Sequence, residues 1–228
     1  MSMFRDSRGS RSEPSELRTR DRDGSAHHMG RVVRSQRLNG AQMPEPGGQG
    51  EPDLGSVFDA HVSNEFVAKD LDATMATMVE EPYVTHIPTL AGGVGAEEVR
   101  RFYGAHFIGC WPDDVSITQI SRTVGQNKVV DELIMNFTHD RVIDTFLPGV
   151  SPTGRSVRLP VVVVAGFEGD RVAYEHIYWD QASLLVQIGV LDPSQLPVSG
   201  VEQAVKLLDK DRPSNELIER AAGQESMR

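Results

Sequence analysis

The sequence predicts an α+β domain in which helices come first and a mainly antiparallel sheet follows. Three observations predict it. Apolar side chains recur at helical spacing between residues 56 and 108, four runs rich in β-branched residues occupy 115–179, and Glu168-Gly169-Asp170 is a tight hairpin signal between the last two runs. A chain of 228 residues suits one such domain with extensions.

The first 55 residues are rich in Arg, Ser, Gly and Pro, have Phe4 as their only aromatic side chain and show no sustained apolar period, so a disordered or flexible arm is expected over 1–55. Met29 and Met43 lie inside it as alternative starts. No apolar run of about seven residues follows its charges, and nowhere do about 18 apolar residues come together, so neither a secretory signal nor a membrane span is expected. Asp6, Glu13, Glu16, Asp21 and Asp23 among the arginines do not suit a transit peptide, and the expected location is the cytoplasm.

Residues 56–69 follow Ser56 as a candidate cap and place Phe58, Val62 and Phe66 on one side, an amphipathic helix. Asp70 or Asp72 caps a second, short helix whose Leu71, Met75 and Met78 read as core filling, with Pro82 as its stop. Residues 83–87 form a short strand containing His86. The glycine-rich loop 89–95 allows close backbone approach to a ligand but carries no nucleotide-binding fingerprint. A third helix over 96–108 stacks Val99, Phe102, Tyr103 and His106 at i, i+3, i+4 and i+7.

Strands are expected at 115–124, 129–139, 156–167 and 171–179, with a long Pro and Gly loop before the third that can fold over a pocket mouth. A short helix over 181–187 follows, with Asp180 as N-cap and Gly189 beyond its end; Val201, Val205 and Leu208 then mark one face of a C-terminal helix within an extension over 193–228.

Charge divides the chain in the same way. The first 55 residues hold 9 basic and 8 acidic side chains, leaving a net charge of −11 on the rest. An acidic domain without an aromatic-lined basic patch is not expected to bind nucleic acid. Cys110 is the single cysteine, which excludes an intrachain disulfide and suits a reducing compartment; beside Trp111 and Pro112 it reads as inert packing.

The chemistry concentrates in residues 171–193. On a strand, Tyr174, His176, Tyr178 and Asp180 point one way and Ala173, Glu175, Ile177 and Trp179 the other; the second set is the more apolar, so the first is expected to line a pocket and Glu175 to face away, toward a subunit contact. Glu175, His176 and Asp180, followed by Leu184, Leu185, Gln187, Gly189 and Leu191, form a pattern that resembles the last strand and tail of SnoaL-like proteins in the nuclear transport factor 2-like superfamily. The helix, helix, short strand, glycine loop, helix order resembles the same superfamily, and the likeness runs from about Val57 to Pro193.

That resemblance implies a cone of curved mixed or antiparallel sheet closed by N-terminal helices over 56–192, a pair of such domains joined as a homodimer through the open sheet face, and a small-molecule pocket. In polyketide cyclases of the family the aspartate at the place of Asp180 is the general base, so the resemblance implies Asp180 as base. His176 or His86 is the expected proton or hydrogen-bond donor to an enolate oxygen; Tyr178, Tyr103 and Trp179 are expected against the substrate, with Glu132 or His139, which have opposite strand parity. Such chemistry on a carbonyl compound (cyclisation, isomerisation, dehydration or hydrolysis) needs no cofactor and no metal. No H-E-x-x-H or G-x-S-x-G occurs, although a metal site assembled only in space stays open. Asp180 also suits a plain helix cap, and a noncatalytic ligand-binding or assembly domain is the alternative reading of the whole.

Overall fold

A computed structural model describes residues 52–225. The arm expected over 1–55 therefore lies, up to residue 51, outside the described residues. The first helix starts earlier than Ser56: α1 spans Leu54–Ser63 and is capped by Asp53, whose carboxylate accepts from the backbone of Gly55 and Ser56. A π-helical turn, Asn64–Ala68, follows, and Asp70 caps α2, Leu71–Ala76, by accepting from Ala73 N at 2.9 Å. No described helix is long and apolar enough to cross a membrane.

The second helix does not run on to Pro82. The chain is already extended at Met78, where β1, Met78–His86, begins, and Pro82 falls at an irregularity in its pairing, a place where a missing N–H costs no ladder bond. The glycine loop becomes β2, Ala91–Val94, an edge strand antiparallel to β1. Its close approach is to protein and not to a ligand: a Cβ on Gly92, which has φ +147°, would stand 1.9 Å from Val84 O.

α3 spans Gly95–Phe102 and continues into a second π-helical turn, Tyr103–Phe107. The main sheet comes next as β3, Ser116–Val124, β4, Lys128–Thr138, β5, Ser156–Glu168, and β6, Arg171–Trp179. Strand order is β2-β1-β6-β5-β4-β3, with β1 and β6 parallel and every other pair antiparallel, so the α+β expectation holds with a mixed sheet.

The helices pack on the face carrying Val84 and His86 of β1, Asp131, Leu133, Met135 and Phe137 of β4, Val161 and Ala165 of β5, and Glu175, Ile177 and Trp179 of β6, all buried. Arg122 anchors α1 to this sheet. It grips Asp131 with two hydrogen bonds of 2.7 Å, pairs with Asp59 of α1 at 2.8 Å and donates to Gly55 O. The Pro and Gly loop sends Ile143, Phe146 and Leu147 into the core, where Phe146 stacks on Trp179 with centroids 3.9 Å apart.

Three short helices end the described chain: α4, Gln181–Gln187, α5, Glu202–Leu208, and α6, Glu216–Glu225. The α5 face differs from the expected one. Ala204 is its buried residue, while Val201 and Leu208 are exposed.

Candidate active site

The inner face of β6 carries one carboxylate, Glu175, and three other polar side chains converge on it. His61 comes from α1, one helical turn beyond Phe58, whose ring stacks on it at 6.1 Å. Glu65 comes from the adjoining π turn, four residues on, and Tyr103 from the first residue of the second π turn. A π turn inserts one residue into the helical ladder and rotates the residues beyond it, a distortion that recurs at functional sites. Here Glu65 and Tyr103 are the polar side chains that the two turns bring to the cluster.

Tyr103 donates its hydroxyl to Glu175 Oε2 at 2.6 Å. His61 Nε2 lies 3.3 Å from Glu65 Oε1, 3.5 Å from Glu175 Oε2 and 3.4 Å from the Tyr103 hydroxyl. Its other ring nitrogen, Nδ1, meets Thr77 Oγ1 at 2.5 Å. His61, Glu65, Tyr103 and Glu175 are all buried, with no side chain more than 6 % exposed. His61 Nε2 and one oxygen from each carboxylate fall within 4.8 Å of one another, so these three side chains could hold a divalent cation as well as a shared proton.

Burial and charge pull these groups apart. Burial alone would strip the proton from His61, but the facing carboxylates of Glu65 and Glu175 overcome it and hold the imidazole protonated up to about 10. Burial raises Glu65, and Glu175 repels it further. Glu175 meets the same burial cost, yet the His61 charge and the Tyr103 hydroxyl bring it below the usual carboxylate range. Burial lifts the Tyr103 phenol well above its ordinary value. Two carboxylates with shared neighbours are thus shifted in opposite directions, Glu65 upward and Glu175 downward.

His86 sits alongside. Its ring is packed by Phe102 at 5.3 Å, Phe107 at 5.6 Å and Trp179 at 6.0 Å, and its Nδ1 lies 3.3 Å from Ala91 O. Burial lowers it to about 4, so it stands as a neutral imidazole.

Of the residues singled out from the sequence, His86, Tyr103 and Trp179 come together on this face. The expected pocket-lining row does not. The strand parity holds but the faces are exchanged: Glu175, Ile177 and Trp179 are buried, whereas His176 leans on Tyr83 and Tyr174 on the outer face and Tyr178 is 42 % exposed. Glu175 accordingly points inward, away from any subunit contact through the outer face.

Asp180 is exposed at the N-terminus of α4, where its carboxylate accepts from Ser183 N at 3.1 Å and from Gln203 Nε2 at 2.5 Å. Glu132 lies on the outer face of β4 and accepts from Ser121 Oγ at 3.1 Å. His139 is buried just past β4, with Nδ1 3.2 Å from Thr153 Oγ1 in the next loop. His106 is exposed beside Asp144, because the π turn moves the buried position on to Phe107.

Sequence reasoning missed His61, Glu65 and the inward aim of Glu175. The available signal was the row Leu54, Phe58, His61, Glu65, which fits helical spacing as well as Phe58, Val62, Phe66 does but includes two polar members.

The SnoaL-like domain family matches residues 59–175, just over half of the 228-residue chain, and the match begins within α1 and ends on Glu175. No curated protein matches the chain. Among solved structures, it is similar to a protein with a ketosteroid isomerase-like fold from Catenulispora acidiphila, seen in complex with trimethylamine, at 12 % identity over 62 % of this chain and 96 % of that one, TM-score 0.47. A nuclear transport factor 2-like protein of Burkholderia pseudomallei is 18 % identical over 60 % and 98 % of the two chains, TM-score 0.47. TsrD from Streptomyces laurentii is 17 % identical over 60 % and 96 %, TM-score 0.48. Family membership rests on the domain match, and these structural likenesses add nothing to it. The chain belongs to the SnoaL-like domain family.

Proposed function

We propose that this chain is a small-molecule enzyme that moves a proton on a carbonyl compound, with His61, Glu65, Tyr103 and Glu175 as its machinery. The observation that carries the reading is the pair of buried carboxylates flanking one imidazole, Glu65 shifted upward by burial and Glu175 shifted downward against the same burial by the His61 charge.

In this mechanism the ionised Glu175 takes a proton from a carbon beside the substrate carbonyl. The C–H electron pair moves into the new C=C bond, and the carbonyl oxygen becomes an enolate. The proton that His61 Nε2 shares with Glu65 passes to that oxygen, leaving a neutral imidazole beside the Glu65 carboxylate. Return of a proton to another carbon completes an isomerisation; attack of the enolate on a second carbonyl completes a cyclisation. The aromatic side chains around His86 suit an apolar or aromatic substrate body.

One observation favours a second reading, a noncatalytic ligand-binding or assembly domain: the four polar side chains contact one another and are almost fully buried, as in a structural polar core. Exchange of α-protons in deuterated water, monitored by NMR with cyclohexanone, acetophenone and indanone as probes, separates the two. The enzyme reading expects exchange above buffer that drops by roughly 100-fold or more in Glu175→Gln, with cooperative unfolding retained. Absence of exchange with every probe supports the noncatalytic domain. Exchange lost on chelation and restored by a divalent ion would replace the shared proton with a metal.

A further inference from the structure

Thr77 lies outside the acid-base cluster, at the C-terminus of α2, yet it touches the far side of the His61 ring. Its hydroxyl oxygen is 2.6 Å from Thr74 O, and a carbonyl oxygen can only accept, so Thr77 spends its single hydroxyl proton there. The same oxygen stands 2.5 Å from His61 Nδ1. With its own proton committed, it can serve that contact only as acceptor. His61 Nδ1 must therefore carry a hydrogen, whichever state the ring is in.

Thr77 is itself held on both sides. Thr74 donates its hydroxyl to Asp70 O at 2.7 Å, so it cannot offer Thr77 a competing proton. Thr77 N donates to Thr74 O at 3.1 Å, and Thr77 O accepts from Val172 N at 2.9 Å, at the start of the strand that carries Glu175. The hydroxyl is thereby fixed relative to β6 as well as to α1. With Nδ1 occupied, Nε2 is the ring atom left to face Glu65, Glu175 and Tyr103.

We propose that Thr77 is the positioning residue of this site: by accepting from His61 Nδ1–H it confines proton exchange to Nε2, the nitrogen that faces both carboxylates. A neutral imidazole is otherwise free to place its proton on either nitrogen, and which one is set by the bond the other makes. Without Thr77 the ring could turn over or change tautomer, and the cluster would lose the donor set between its carboxylates. The placement of the proton stands on hydrogen-bond geometry alone; its consequence for turnover rests on the acid-base reading above.

The test uses the full chain and histidine ring nitrogen NMR, with Thr77→Val, Thr77→Ser and the wild type, the His61 signals being assigned by their loss in His61→Gln. In the wild type and in Thr77→Ser, the His61 Nδ1 proton is expected to exchange slowly with water, and only the Nε2 shift should move when the ring is titrated. In Thr77→Val the slow exchange should vanish and both nitrogens should respond. For a ketone probe that exchanges, kcat should fall by up to about 100-fold with KM little changed, and Thr77→Ser should restore it. A wild-type ring that titrates at Nδ1 overturns the proposal, and this reading survives even if Thr77→Val does not fold. Unchanged His61 shifts in a folded Thr77→Val overturn it too. Normal ring behaviour in the wild type, lost in Thr77→Val, without exchange of any ketone, upholds the proton placement and removes the acid-base reading instead.

Discussion

Glu175 in the middle of β6 and Asp180 just past its end are both carboxylates, yet their surroundings assign them different work. Asp180 is exposed and spends its oxygens on Ser183 N and Gln203, which makes it a helix cap. Glu175 is buried and faces an imidazolium. Asp180→Ala is therefore expected to lower stability by about 1 kcal/mol, measured by urea unfolding, while proton exchange on a ketone probe stays within a few-fold of wild type. A collapse of exchange without loss of stability would return the base to Asp180. The residue types needed for acid-base chemistry were legible in the stretch 171–193. What was not legible was which face of β6 is buried, because each face mixes polar and apolar members and a glutamate ordinarily counts as surface. Only the two partners brought by α1 and the second π turn, His61 and Tyr103, make an inward Glu175 tolerable, and those contacts join residues more than 70 positions apart.

At the scale of elements, the sequence located four of the six strands to within one or two residues, since their β-branched runs and the Glu168-Gly169-Asp170 hairpin are local signals. The π turns left no such signal. One extra residue after Phe102 turns His106 outward and Phe107 inward, and a 3.6-residue period cannot report that. The pairing of β5 with β6 offers a check on the outer face. Gly166 is paired with Tyr174, whose ring lies over it so closely that a Cβ at 166 would fall 2.0 Å from Tyr174 Cε1. That ring also stacks on Tyr83 of the neighbouring β1, with centroids 5.1 Å apart. Gly166→Ala must push the tyrosine off both neighbours, at an expected cost of ~1–3 kcal/mol in urea unfolding. Adding Tyr174→Ala should recover part of that loss, because the clash goes with the ring; an additive double variant would show that the ring does not cover Gly166.

Across the whole molecule, two buried histidines, His86 of β1 and His61 of α1, make stability depend on pH in opposite directions. His86 is held neutral, with its pKa lowered to about 4 by burial, whereas an unfolded histidine titrates near its ordinary value of 6.5. Between those two values the unfolded chain binds a proton that the folded chain does not, so stability rises with pH. Glu175, lowered by the neighbouring His61 charge against the cost of burial, adds to this acid limb, since its contribution is lost as pH falls through its folded pKa. His61 has the reverse sign. Its folded pKa of about 10 lies above 6.5, so its contribution is complete below 6.5 and is lost as pH rises toward 10. Glu65, raised by burial, also favours the folded state at the acid end and blunts the first limb. The expected profile is a maximum near 6.5 with limbs on the order of 3 kcal/mol, read from urea midpoints across the range. Two variants separate the limbs. His86→Phe should flatten the acid side, because the group that refuses its proton is gone. Glu65→Gln removes one of the two charges that hold the proton on His61, so the alkaline loss should begin at lower pH. A profile without a maximum, or one that neither variant alters, would mean that the inner-face groups titrate in the folded chain as they do in water, and the charge separation at the centre of the site would not exist.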